Sequence, residues 1–250
     1  MKRILVSNDD GVHAPGLHAL AQAMAPLGDV TVVAPLTEQS AASHALTIHH
    51  PLRVREVGPK VLAVDGTPTD CVLLAVREFL DELPDLVVSG INQGGNMGED
   101  VIYSGTVAAA MEGALLGIPA VAFSLASRES RDFGPAADMA ARLVRALLGK
   151  SLPPRFLLNV NIPALPEDRI QGFRAAKLGS RVYEDDIVRK TDPRGRDYFW
   201  IGGADPVWSK SPDSDFQAVQ DGFASITPLR LDHTAEEGYG VLAGLDLERS

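Results

Sequence analysis

The sequence predicts a doubly wound α/β fold, a largely parallel sheet covered by helices on both faces. Short unbroken runs of valine, isoleucine and leucine recur along the chain, as expected of strands buried on both sides. Between them lie stretches whose apolar residues return at helical spacing, so strand and helix alternate. The first run, Ile4-Leu5-Val6-Ser7-Asn8, stops at two adjacent carboxylates and a glycine, Asp9-Asp10-Gly11. In open α/β sheets the ligand crevice lies at the carboxyl ends of the strands, where such a pair suits a hard divalent cation.

Taken in order, a strand is expected at Arg3–Ser7 and a helix over Leu17–Ala25 behind Gly16. Strands follow at Val30–Ala34 and Val61–Val64, then a helix over Thr69–Leu80 behind Pro68, a residue suited to a first turn because no N–H is needed there. A strand at Leu86–Ser89 leads to a helix over Thr106–Leu116 behind Gly105. A strand at Ala120–Phe123, a helix over Ala136–Leu148 and a strand at Phe156–Asn161 complete the alternation. After Pro163 the texture changes. Tyr183, Tyr198, Phe199 and Trp200 stand among charged residues around the turn-like Asp192-Pro193-Arg194-Gly195, which predicts an extended arm or hairpin over Gly179–Gly203. A strand at Ala224–Leu229 and a weak helix in the acidic tail from Ala235 close the chain. The expected division is a core over 1–163 and a region over 164–250 whose return strands, arm and tail complete the same domain.

At 250 residues and 45% hydrophobic content the chain can bury a substantial core. Its formal net charge of −10 argues against binding polymeric nucleic acid, since that affinity comes from Lys and Arg displacing counterions. A mononucleotide remains compatible if the protein supplies local compensation through a metal ion or converging N–H groups. Met1-Lys2-Arg3 is basic, but the apolar stretch behind it is too short for a leader or a membrane span, so a cytoplasmic protein with no membrane partner is expected. Cys71, the single cysteine, lies in an apolar stretch and is expected to pack in the core.

Adjacent strand residues face opposite sides, so Asp9 and Asp10 reach one cation only if the chain leaves strand geometry, a turn that Gly11 permits. Alone, such a sequence is more often an ordinary solvated turn. Two other segments shift the balance. In Val88-Ser89-Gly90-Ile91-Asn92-Gln93-Gly94-Gly95-Asn96-Met97-Gly98 a buried strand again ends in glycines and amides, which bring oxygen ligands and backbone near an ion or phosphate. It has neither the Walker ending nor the dinucleotide fingerprint. Tyr103-Ser104-Gly105-Thr106 leads into a helix whose free N–H groups attract phosphate, although plain N-capping by Ser104 or Thr106 explains it equally. In Pro35–Thr47, Ser40 is a better hydroxyl ligand than nucleophile, because the strand, G-x-S-x-G, helix context is missing. His13 is close in sequence to the aspartates but reads as a solvated loop residue, and no His or Cys pair has zinc spacing.

These segments together resemble the SurE survival-protein family of metal-dependent 5′(3′)-nucleotidases. The resemblance rests on S-N-D-D-G-V-H-A-P-G from Ser7, V-V-A-P with S-A-A-S between Val32 and Ser43, G-T-P-T-D-C-V from Gly66, and the long block from Ser89 to Gly113. It continues through N-V-N-I-P at Asn159, D-P-R-G at Asp192 and S-D-F-Q-A-V-Q-D-G-F-A-S-I-T-P-L from Ser214. It implies a three-layer, Rossmann-like α/β/α core followed by extended β-arms used in homodimer or homotetramer contacts. It also implies Asp9, Asp10, Ser40 and Asn92 as ligands of one divalent metal ion per subunit, with Asn96, Ser104, Gly105 and Thr106 near the phosphate. The loop before Ser40 reads Thr37-Glu38-Gln39, where many relatives carry basic residues.

All-oxygen ligands select magnesium or manganese. The expected reaction is hydrolysis of nucleoside 5′- and 3′-monophosphates by direct attack of water, with short polyphosphate as a further substrate and Asp9 or Asp10 orienting the water. Alternatives are a covalent aspartyl-phosphate on Asp9, disfavoured because such enzymes space their aspartates by one residue, and a non-catalytic nucleotide-binding module.

Overall fold

The computed structural model describes residues 1–182, 187–201, 207–209 and 211–245. The chain begins with β1 (Arg3–Ser7), α1 (Pro15–Met24), β2 (Asp29–Pro35), β3 (Val54–Gly58), β4 (Val61–Val64) and α2 (Pro68–Leu74). It continues through β5 (Leu86–Gln93), α3 (Gly105–Leu115), β6 (Ala120–Leu125), α4 (Gly134–Leu147) and β7 (Leu157–Ile162). The later strands are β8 (Phe173–Ala175), β9 (Arg181–Val182), β10 (Ile187–Thr191), β11 (Asp197–Ile201), β12 (Val207–Trp208) and β13 (Ala224–Pro228), with helices α5 (Asp215–Gln220) and α6 (Gly238–Leu242).

Nine strands form one sheet in the order β3-β4-β2-β1-β5-β6-β7-β13-β8. From β4 to β7 every pair is parallel, with Val6 of β1 in register with Val32 of β2 and Val88 of β5. The expected α/β class therefore holds. β3 and β13 pair antiparallel with their inner neighbours. β8 and β13 join the sheet from beyond residue 163.

Alternate residues of β1 explain the three layers. Ile4 and Val6 point to the face covered by α1 and α4, with Leu17, Leu20, Met139 and Val144. Leu5 points to the other face, with Cys71 and Val72 of α2 and Val107 and Ala110 of α3. Cys71 is fully buried, as expected of a core residue, and burial pushes its thiol well above the usual range.

The chain winds from β1 toward β2 and β4, then crosses to β5 and winds the other way. The boundary between β1 and β5 is therefore the switch point of the sheet, where a crevice opens at the strand ends. Asp9-Asp10 follows the end of β1 there, and Asn92–Asn96 runs from the last two residues of β5 into the loop beyond it.

Local chemistry sets the helix starts. Thr67 Oγ1 accepts from Asp70 N–H at 3.1 Å while Asp70 Oδ2 accepts from Thr67 N–H at 2.8 Å, a reciprocal cap behind which Pro68 needs no donor. Ser104 Oγ accepts from Val107 N–H at 3.1 Å, so Ser104, not Thr106, caps α3. The helix expected over Thr69–Leu80 is α2 followed by one π-helical turn at Ala75–Phe79. Ser214 caps α5, and the buried Asp215 accepts from the N–H groups of Gly98 and Gly179. This gives the S-D-F block a physical role: it ties the turn after Asn96 to the base of the arm.

The arm forms a hairpin of β10 and β11, with Asp192 Oδ1 accepting from Arg194 and Arg196 N–H groups across the turn. Phe199, Trp200 and Ile201 are exposed. β9 pairs with β12 at its base. Tyr183 and the Gly202–Gly203 end of the expected arm lie outside the described residues. Among the described residues no helix is long and apolar enough to cross a membrane.

Candidate active site

Asn8 Nδ2 donates to the carbonyl of Gly11 at 3.0 Å, and Gly11 adopts a φ of +99°. That turn takes the chain out of strand geometry and lets both aspartates face one crevice. The turn is tied to the loop after β2 through Gln39 N–H to Asp9 O at 2.8 Å and Val12 N–H to Pro35 O at 2.7 Å, which brings Glu38 and Ser40 alongside.

Asp9 is 5% exposed, and Thr106 Oγ1 donates to its Oδ1. Asp10 is half-buried, and its Oδ2 accepts from Gln93 N–H at 3.3 Å. Asn92 Nδ2 donates to Gly94 O at 2.8 Å, and its Oδ1 has no protein hydrogen-bond partner among the described residues. Ser40 Oγ donates to Glu38 Oε1 at 2.6 Å, which leaves lone pairs for a cation.

Asn96 is held from three sides. Its N–H donates to Asn161 Oδ1 at 2.8 Å, its Nδ2 to Ser124 Oγ at 2.8 Å, and its carbonyl accepts from Asn159 and Asn161 at 2.7 and 3.1 Å. Asn159 and Asn161 alternate on β7 and so share one face of the sheet. The pair was visible in the sequence as two amides two apart in an otherwise apolar strand.

A cleft of about 820 Å³ is lined by Asp9, Asp10, Ser40, Asn92, Asn96 and Ser104. Gly105 and Thr106 do not line it. Thr106 is fully buried, and the hydroxyl expected near phosphate donates to Asp9 instead, so Thr106 orients a carboxylate from behind. Gly105 is needed at close quarters, because a Cβ there would lie 2.7 Å from Asp9 Cβ and 2.9 Å from its Oδ2. His13 is exposed and outside the cleft. Sequence reading missed Glu38, Tyr103, Arg128, Arg131 and Arg181, which also line it.

Burial pushes the Asp9 carboxyl above its usual range, against the lowering effect of the Thr106 hydrogen bond. Asp10 is pushed up to about 6, first by burial and then by the neighbouring Asp9 charge. Two carboxylates crowded in this way favour a cation between them. Among the described residues no group of three or more His, Cys, Asp or Glu could hold a metal. The donor set is instead two carboxylates with a hydroxyl and an amide oxygen, which fits a hard ion that keeps some of its water.

A pH effect follows. An acid raised in the folded state opposes folding while ionised, and that cost disappears as pH falls through the folded value toward 3.8. Metal-stripped protein is therefore expected to melt at higher temperature as pH drops from 7 through about 6. Asp10→Asn should flatten that rise. Thermal melts across this range check it, and an identical slope in the variant contradicts it.

The family model described as Survival protein SurE matches residues 4–185. The chain belongs to the SurE family. A protein of Geobacter sulfurreducens named 5'-nucleotidase SurE is 53% identical over 245 residues, covering 98% of this chain and 94% of that protein. One of the same name from Geobacter metallireducens is 55% identical over 233 residues, covering 93% and 92%. The crystal structure of the Sure protein from Aquifex aeolicus matches with a TM-score of 0.87 at 41% identity, covering 96% of this chain and 99% of that one. The matched span contains Asp9, Asp10, Ser40, Asn92, Asn96 and Ser104 of the cleft, together with Gly105 and Thr106 behind it.

Proposed function

We propose that this SurE-family chain is a metal-dependent phosphomonoesterase that converts nucleoside 5′-monophosphates to nucleoside and phosphate, with 3′-monophosphates and short polyphosphate as further substrates. The observation that carries the reading is the convergence of Asp9, Asp10, Ser40 and Asn92 on one cleft at the switch point between β1 and β5. The relatives named 5'-nucleotidase SurE support the activity and the substrate class.

The four oxygen donors would hold one magnesium or manganese ion, which when bound supplies positive charge to phosphoryl oxygens and acidity to water. Asp10, the more accessible carboxylate, faces the cleft and is placed to orient the attacking water. Asp9 has one oxygen engaged by Thr106, which suits a fixed ligand better than a nucleophile. Ser104 faces the same cleft at the head of α3, where the helix terminus favours an anion. Asn96, locked by Asn159, Asn161 and Ser124, presents a pre-set polar group that need not reorganise as charge develops. Phosphate release from AMP, 3′-AMP and short polyphosphate, each with magnesium and with manganese, tests the reading. Release from none of them would overturn it.

The assembly is proposed to be a homodimer or homotetramer built through the arm. Among the described residues the β10–β11 hairpin pairs with no strand of the central sheet, and it exposes Phe199, Trp200 and Ile201. A lone two-stranded hairpin is marginal in water, and a partner surface would bury those rings. Light scattering at micromolar concentration should report at least twice the chain mass. A single monomeric species would contradict this.

A further inference from the structure

The loop between β6 and α4 carries Arg128, Glu129, Arg131 and Asp132, and the fold sorts them by charge. Both arginines line the cleft, and neither acid does. The sorting has a local cause: Ser127 Oγ accepts from the N–H groups of Glu129 and Ser130 at 3.2 and 3.1 Å, turning the chain directly after the cleft wall.

The loop is also tied to the metal-ligand set. Gln93 donates its side-chain Nε2 to Arg128 O at 2.6 Å and its N–H to Asp10 Oδ2. One residue thus fixes Arg128 relative to Asp10. The stem of Arg128 crosses Gly94: a Cβ built on Gly94 would lie 3.4 Å from Arg128 Cγ, 3.7 Å from its Nε and 3.9 Å from Asn92 Nδ2. Arg128 Nε and Asn92 Nδ2 thus both lie within 4 Å of the space above Gly94.

Arg181, the third arginine of the cleft, is paired with Asp100 at 3.1 Å. Arg128 and Arg131 have no ion pair and no side-chain hydrogen bond among the described residues, although the chain carries a net charge of −10. Cations left unpaired in a cleft of an acidic protein are suited to an anionic ligand, and the guanidinium fork matches two phosphoryl oxygens at once.

We propose that Arg128, supported by Arg131, recognises the phosphoryl group of the substrate from the loop side of the cleft and sets this chain's affinity for phosphomonoesters. The proposal rests on the phosphomonoesterase reading and assigns it a specificity residue.

The test uses the magnesium-loaded protein and the variants R128A, R128K and R131A, with AMP as substrate and inorganic phosphate and adenosine as competing ligands. For R128A, KM should rise about tenfold, the scale of one charge-assisted hydrogen bond, while kcat stays within about threefold. Inhibition by phosphate should weaken by the same factor. R128K should recover part of the loss, R131A should show a smaller one, and magnesium affinity measured by titration should be unchanged. Wild-type KM and phosphate inhibition in R128A would overturn the proposal. So would a loss confined to kcat, a matching loss of magnesium affinity, or weaker adenosine inhibition with phosphate inhibition intact. If the wild-type protein hydrolyses no monoester, the phosphomonoesterase reading fails, and phosphate titration of R128A against wild type still decides whether the arginine binds the anion.

Discussion

Asp9→Asn is expected to give a folded protein whose kcat/KM for AMP falls by about three orders of magnitude, roughly 4 kcal/mol of transition-state stabilisation. The amide keeps the shape of the side chain and an oxygen to accept from Thr106 Oγ1. It removes the charge that the buried position holds for a cation. Asp9 is already pushed toward its neutral form by burial, so a neutral replacement should not destabilise the metal-free protein. Circular dichroism, thermal melts and phosphate release measured together check the two halves of the expectation. Wild-type turnover in a folded variant would remove Asp9 from the site.

Gly105→Ala is expected to cost about a hundredfold in kcat/KM, the order associated with displacing a catalytic group by about 1 Å. The added methyl would sit 2.7 Å from Asp9 Cβ and 3.2 Å from its Cγ, so the carboxylate must shift. Stability should change far less, because replacing Gly by Ala in a helix gains up to about 1 kcal/mol of propensity, which offsets part of the crowding. Kinetics and melts on the same preparation separate these effects. A large drop in melting temperature with unaltered activity per folded molecule would show that the contact is structural only.

The inner strands could be read from the sequence because both faces of them are buried. Ile4, Leu5 and Val6 serve opposite cores, so no polar residue interrupts the run. β3 was missed for the opposite reason. It is an edge strand, largely exposed, and Val54-Arg55-Glu56-Val57-Gly58 carries charge where an inner strand would be apolar. The π-helical turn at Ala75–Phe79 leaves no trace in apolar spacing, so the segment reads as one helix.

The site was legible where a strand delivers it. Asp9-Asp10 and Asn92 stand at the ends of β1 and β5, and an apolar run that stops at polar residues announces such a place. Ser40 lies in an exposed loop without periodicity; residue context favoured a hydroxyl ligand over a nucleophile, and family resemblance joined it to Asp9, Asp10 and Asn92. Thr106 reads as a hydroxyl at a helix start, yet it is the packing of α3 against the end of β1 that turns it toward Asp9. Arg128 and Arg131 share their loop with Glu129 and Asp132, and composition cannot say which pair turns toward the cleft.

Phosphate release from AMP by metal-stripped protein, followed by return of magnesium or manganese, tests the metal-dependent hydrolysis most directly. The oxygen donors Asp9, Asp10, Ser40 and Asn92 predict no turnover after chelation and recovery with either ion, in wild type but not in Asp9→Asn. Full activity in protein shown to be free of metal would contradict it.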